Sequence, residues 1–184
     1  VVSFGKIGQA IALRAKAFGT EIIAFDPFLP AGVAKQHGVE LVSKADLLAH
    51  SDYILMQAPM TSETRHFLSD PEFAAIKPGA ILVNTGRGPT VDNAALYRAL
   101  TDGHLASAGL DDPEEEPAKR TNWDPAGNPI FTLPNVLVTP HAAYYSEESI
   151  LAARTTAATQ VAKVLTKQLP DYPVNASALA ATAQ

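Results

Sequence analysis

Short apolar runs alternate along the chain with stretches in which apolar positions recur every three or four residues, so strand and helix periods take turns. The apolar runs lie at residues 1–2, 21–25 (EIIAF), 39–42, 52–57 (DYILMQ), 80–83, 105–110 and 136–138. Helical spacing appears at Ile7, Ile11, Ala15 and Phe18, over residues 31–37, from an N-cap at Ser43 through Leu47 and Leu48, and over 70–76 and 91–101. A final amphipathic helix is predicted from a cap at Ser146 to about Lys167. Residues 61–67 read as a loop and helix start, and Lys77-Pro78-Gly79 stops the helix before it. Continuous apolar strands between helices specify an α/β fold, a doubly wound parallel sheet covered on both faces. The chain opens inside its first strand, which leads us to expect preceding sequence, and residues 176–184 read as a loose Ala-rich tail.

Composition narrows the class. With 184 residues, 47% of them hydrophobic, the chain can bury one good core. A net charge of −5 argues against general affinity for nucleic acid or an anionic membrane. No cysteine is present, which excludes disulfides, thiolate catalysis and Cys-ligated zinc. Lys6 interrupts the apolar start, so neither a signal peptide nor a membrane span is predicted, and a cytoplasmic protein is expected.

In a doubly wound sheet, ligands sit beyond the carboxyl ends of the strands. The first such end is VVSFGKIG. A helix start presents unpaired N–H groups and the positive end of its dipole, which favours a pyrophosphate. Two of the three glycines of a dinucleotide fingerprint are present: Gly5 would let backbone approach phosphate, and Gly8 would let helix pack on strand. Ser3 stands at the first glycine position and can make the turn if its φ stays negative. An ordinary Gly-rich turn shares this pattern, and the next strand decides between them. Asp26 closes that strand 18 residues beyond Gly8, where a carboxylate accepts the hydrogen bonds of an adenosine ribose diol and repels a 2′-phosphate. The expected cofactor is therefore NAD.

Three further strand ends carry reactive side chains. Arg87 lies in NTGRG, where a guanidinium can clasp a carboxylate. His141 lies in TPHAA behind a proline, and Glu116 lies in DDPEEEP, near enough by topology to meet His141. Each alone also reads as a solvated loop residue or a packed histidine, and a metal site built from His141, Glu116 and Asp111 explains the three less well than redox chemistry does. Their joint position at strand ends beside a nicotinamide is what points to a site.

The stretches NTGRGPTVDNAALYRAL, AGLDDPEEEP and LPNVLVTPHAAYYSEES, in that order, resemble the nucleotide-binding domain of the D-isomer-specific 2-hydroxyacid dehydrogenases, from Val1 to about Asn175. PHAAYYSEES is especially similar to the branch close to the C-terminal binding proteins, which joins a dehydrogenase fold to a corepressor role. The resemblance implies a Rossmann domain over residues 1–169, with 170–184 a return segment and tail of a second, substrate-facing domain whose sequence precedes this chain. It implies that Arg87 holds the substrate carboxylate and that His141 is the acid–base, paired with Glu116. Cofactor contacts are implied for Gly5, Lys6, Ile7, Gly8, Asp26, Ala58, Pro59, Thr64, Thr85, Gly86, Asp111 and Ala143, with Asp111 receiving the nicotinamide carboxamide. Asp112 departs from the family's usual small apolar residue. The implied activity is hydride transfer between NAD(H) and a small 2-keto or 2-hydroxy acid, in a homodimer. A piece lacking its partner domain is expected to bind NAD yet turn over slowly. The corepressor-like stretch leaves a second function open, an NAD-responsive module that recruits protein partners.

Overall fold

The structure is a computed structural model that describes residues 1–114, 121–122 and 124–173. It divides into two compact units, Val1–Ala143 and Tyr144–Gln184.

Among its described residues the first unit has six parallel strands: β1 (Ile23–Ala24), β2 (Glu40–Leu41), β3 (Tyr53–Met56), β4 (Ile81–Asn84), β5 (Ser107–Leu110) and β6 (Val136–Val138). The order β3-β4-β5-β6 forms one sheet, and β1 pairs with β2. The opening residues join the two groups. Val2 makes parallel bridges to Phe25 on one side and Met56 on the other, its N–H reaching Leu55 O at 2.9 Å and its carbonyl accepting from Gln57 N at 3.0 Å. Strand order therefore runs outward in both directions from residues 1–3, which is the topological switch point where a doubly wound sheet opens a crevice.

Helices α1 (Lys6–Lys16), α2 (Ala31–Gln36), α3 (Lys44–His50), α4 (Asp70–Ala75) and α5 (Asn93–Thr101) connect the strands. Strand side chains alternate between faces, and the first two residues show it. Val1 packs with Phe4, Ala12, Ala24, Ala34 and Val39, whereas Val2 packs with Ile54, Met56, Leu82, Leu96 and Leu100. An apolar layer thus lies on each side of the sheet, the second reaching as far as Leu55 of β3, while Leu137 of β6 is 70% exposed.

Several boundaries differ from the sequence pattern for local reasons. Helix α5 starts at Asn93 rather than 91, because Val91 is extended in a bridge to Leu68 and Asp92 Oδ1 caps the N–H groups of Ala94 and Ala95 at 2.8 and 3.1 Å. Residues 61–67 form turns instead of a helix start. There Thr64 Oγ1 accepts from Thr61 N at 2.7 Å and donates to Pro59 O at 2.6 Å, a side-chain alternative to helical bonding. Ser43 caps α3 as expected, accepting from Asp46 N at 3.1 Å.

In the second unit, α6 (Glu147–Leu165) begins at a reciprocal cap in which Ser146 and Ser149 each accept from the other's backbone N–H. It ends at Leu165, short of Lys167, and none of its residues is buried, so the amphipathic face expected of it is not a buried face. Among the described residues no helix is long and apolar enough to cross a membrane.

Candidate active site and dinucleotide cradle

The first turn differs from expectation at Ser3, whose φ is +68° rather than negative. Neighbouring bonds enforce it: Ser3 N donates to Phe25 O at 2.8 Å, and the next amide, Phe4 N, donates to Asp26 Oδ2 at 2.9 Å while the Phe4 ring is fully buried. A side chain in this region costs about 1 kcal/mol or more, which is the reason glycine is usual there. Asp26 Oδ1 also accepts from Phe28 N at 3.0 Å, so the half-buried carboxylate clamps the turn at the position where a ribose would arrive.

The two glycines behave oppositely. A Cβ on Gly8 would lie 2.5 Å from Ser3 O, so helix α1 touches the opening segment only because Gly8 has none. A Cβ on Gly5 would meet nothing within 4 Å. Gly5 is the N-cap of α1, with no side chain capping it and no acidic residue in the first turn. An open backbone approach, an uncapped helix start of 11 residues and an adjacent carboxylate fit a dinucleotide pyrophosphate and its ribose. Lys6 and Ile7, the first helical residues, are exposed at this mouth.

Loops after β3 and β4 pack against each other beside it. Gly86 lies so close to the end of β3 that a Cβ would be 3.1 Å from Met56 O and 3.2 Å from Ala58 O, and Gln57 Nε2 donates to Thr85 Oγ1 at 2.6 Å. Ala58 is buried and Pro59 exposed, so the chain turns outward there, and the Thr64 hydroxyl bonds that turn. Asn84, 2% exposed, holds the NTGRG loop: its Oδ1 accepts from Gly86 N at 3.0 Å and its Nδ2 donates to Arg87 O at 3.0 Å. The Thr90 hydroxyl donates to the same carbonyl at 2.6 Å. The loop backbone is thereby pinned while the Arg87 side chain stays exposed, with Nη1 donating to Gly86 O at 2.8 Å.

Asp111, at the end of β5, organises the loop that carries His141. Its Oδ1 accepts from Thr139 Oγ1 at 2.5 Å and Ala142 N at 2.8 Å, and its Oδ2 from Ala143 N at 2.9 Å. Burial pushes this carboxyl up, but the three hydrogen bonds and the nearby His141 outweigh burial and hold it below the usual carboxylate range. One lone pair of Oδ2 is all that this arrangement leaves for a nicotinamide carboxamide. His141 has φ +52°, and its N–H donates to Asp111 O at 2.6 Å.

Glu116, the expected partner of His141, lies outside the described residues. What meets the imidazole among the described residues is Asp112, whose Oδ2 is 3.0 Å from His141 Nδ1 and whose side chain is only 4% exposed. Gly88 completes the assembly, because a Cβ there would lie 2.4 Å from the carbonyl oxygens of both Asp112 and Pro113. The loop of Arg87 thus packs on the backbone of Asp112, and the side chain of Asp112 reaches His141. Sequence reasoning gave no role to Asn84 or Asp112. The unusual carboxylate at 112 was the available signal for one, and nothing in the pattern of β4 marked the other.

A parallel sheet with an uncapped helix start and a carboxylate at its switch point defines a dinucleotide-binding protein of the doubly wound class. The profile of the family described as "D-isomer specific 2-hydroxyacid dehydrogenase, NAD binding domain" matches residues 1–143, and the chain belongs to this family. It is 43% identical over 176 residues to D-3-phosphoglycerate dehydrogenase of Methanocaldococcus jannaschii, covering 95% of this chain and 32% of that protein. It is 42% identical over 149 residues to glyoxylate reductase of Korarchaeum cryptofilum, covering 81% of this chain and 43% of that one. The D-lactate dehydrogenase of Lactobacillus jensenii, solved with NAD+, superposes with a TM-score of 0.85 at 28% identity over 95% of this chain and 54% of its own. The chain spans less than half the length of the two curated relatives. Its cofactor is NAD, as the family's description and the solved NAD complexes of its relatives agree.

Proposed function

We propose that this chain is the NAD-binding half of a dehydrogenase that interconverts a small 2-keto acid and its 2-hydroxy acid. The observation that carries the reading is the packing of the Arg87 loop, the Asp111–Asp112 strand end and the His141 loop into one cluster at the carboxyl ends of β4, β5 and β6. Bound NAD(H) supplies or accepts the hydride. The protein's residues do the rest. The exposed guanidinium of Arg87 holds the substrate carboxylate and stabilises charge on the carbonyl oxygen, because the loop beneath it is pinned by Asn84. His141 gives that oxygen a proton during reduction and takes it back during oxidation, its loop anchored by Asp111. Asp26, Gly5 and the amide groups of Lys6 and Ile7 receive the dinucleotide, with Pro59, Thr64, Thr85, Gly86 and Ala143 along the crevice toward the reacting centre.

The relatives named above include a phosphoglycerate dehydrogenase, a glyoxylate reductase and a D-lactate dehydrogenase, which supports the acid class without choosing a member of it. This reading also includes a homodimer and a cytoplasmic location, to be checked by sedimentation and cell fractionation of the full-length gene product. The decisive experiment is NADH oxidation by that product against a panel of 2-keto acids. Turnover with one or two acids is expected, and H141A should lose at least about a hundredfold in kcat while binding NADH nearly as before. Full activity in H141A, or no turnover with any acid, would overturn the proposal.

A further inference from the structure

We propose that the Ser3 hydroxyl receives one hydroxyl of the adenosine-side ribose of NAD, completing with Asp26 a two-residue acceptor for the diol; the inference rests on the reading of Asp26 as the ribose carboxylate. Three observations lead to it. First, Ser3 holds φ +68°, a conformation that glycine adopts without cost. What serine adds there is its hydroxymethyl group, and a side chain kept in a strained turn at the edge of a binding crevice points to a ligand contact. Second, both backbone groups of Ser3 are engaged. Its N–H donates to Phe25 O at 2.8 Å, and its carbonyl oxygen abuts α1 at Gly8, where a Cβ would come within 2.5 Å. The side chain is thereby turned to Asp26, with Oγ 3.5 Å from Oδ2. This is longer than the usual hydroxyl bond of about 2.5–3.0 Å, and it is the only polar contact the hydroxyl makes among the described residues, so a ligand can engage it at little cost.

Third, Asp26 cannot serve a diol alone. An ionised carboxylate offers about four acceptor positions. Oδ2 accepts from Phe4 N at 2.9 Å and faces the Ser3 hydroxyl, and Oδ1 accepts from Phe28 N at 3.0 Å. The second position of Oδ1 is the one left free. The two amide bonds also hold the carboxylate against rotation, since each oxygen is tied to a different backbone segment. A ribose diol brings two donors on adjacent carbons, and one of them needs an acceptor other than Oδ1. Ser3 Oγ carries two lone pairs and can accept that second bond while directing its own proton at Oδ2. The bonds then run from ribose hydroxyl to Ser3 to Asp26, so the carboxylate charge polarises the serine and strengthens the outer bond.

The test uses the full-length gene product and its S3G, S3A and D26A variants, titrated with NADH and with two analogues of NADH lacking the 2′- or the 3′-hydroxyl of the adenosine-side ribose. Both serine variants remove the hydroxyl, but S3G also relieves the turn and S3A does not. S3G should therefore unfold in urea at a midpoint above that of S3A. Both should bind NADH about three- to tenfold more weakly than the wild type, as expected for one lost neutral hydrogen bond. The loss should disappear for the analogue lacking the hydroxyl that Ser3 receives and persist for the other. A Ser3 that merely shapes the turn predicts the reverse, because relieving the strain in S3G would leave NADH affinity at or above the wild-type value. NADH affinity in S3G equal to or tighter than wild type, or an equal loss for NADH and both analogues, would overturn the proposal. If S3A does not fold, S3G with the analogues decides. Wild-type NADH affinity in D26A would instead remove the ribose from Asp26, so the failure of that reading and the failure of this one are distinguishable.

Discussion

Replacing Gly5 and Gly8 separately by alanine should divide cofactor binding from folding, because the structure gives the two added methyl groups opposite surroundings. At Gly5 φ is −67° and ψ −168°, conformations open to alanine, and the methyl group meets nothing within 4 Å. Losing a glycine at a compatible position reduces the freedom of the unfolded chain and should stabilise the fold by about 0.4–1 kcal/mol. The same methyl group stands where a pyrophosphate must approach the backbone. Loss of one charge-assisted hydrogen bond there is worth about 1.5–3 kcal/mol, or about ten- to 150-fold in NADH affinity. At Gly8 the methyl group would lie 2.5 Å from Ser3 O, nearly 1 Å inside an ordinary contact of about 3.4 Å, and the N–H of the same residue is tied to Phe25 O at 2.8 Å. That overlap should cost about 1–3 kcal/mol of stability. Urea unfolding of each variant, paired with NADH fluorescence titration, reads both quantities. The reasoning is refuted if G5A binds NADH as the wild type does, or if G8A unfolds at the wild-type urea midpoint.

Two other perturbations probe the loops. N84A should lower stability by about 1–3 kcal/mol in urea unfolding, since it strips Gly86 N of its acceptor and leaves Arg87 O to Thr90 alone at a 2%-exposed position. Asp111 has a carboxyl held below its usual range in the folded state, so its contribution is present above the unfolded-state value and disappears as pH falls through the folded one. Urea midpoints followed from neutral pH into acid, below about pH 4, should therefore fall less steeply in D111N than in the wild type. Parallel curves would show that the three hydrogen bonds to Asp111 do not discriminate between its charge states.

Much of this protein is legible in local pattern. The period of apolar residues marked the six strands described in the first unit because their apolar runs supply both buried layers, with Ile54, Met56 and Leu82 on one side and Ala24 and Leu55 on the other. Ser43 and Ser146 declared themselves as caps because capping is a bond between residues three apart. The strand-end positions of Asp26, Arg87, Asp111 and His141 followed from the same alternation, since a parallel sheet brings all its carboxyl ends to one edge. Tertiary structure alone decided what those ends do to one another. The left-handed turn at Ser3 is imposed by Phe25 and Asp26, more than twenty residues away, against the preference of serine itself. The start of α5 at Asn93 depends on Val91 being drawn into a bridge with Leu68. Contacts such as Asp112 with His141, and Gly88 against the Asp112 backbone, join segments 24 to 29 residues apart, and they exist only once three loops are stacked at the sheet edge. Periodicity sees neighbours within a turn or along a strand; a pair of side chains brought together by sheet register leaves no period to read.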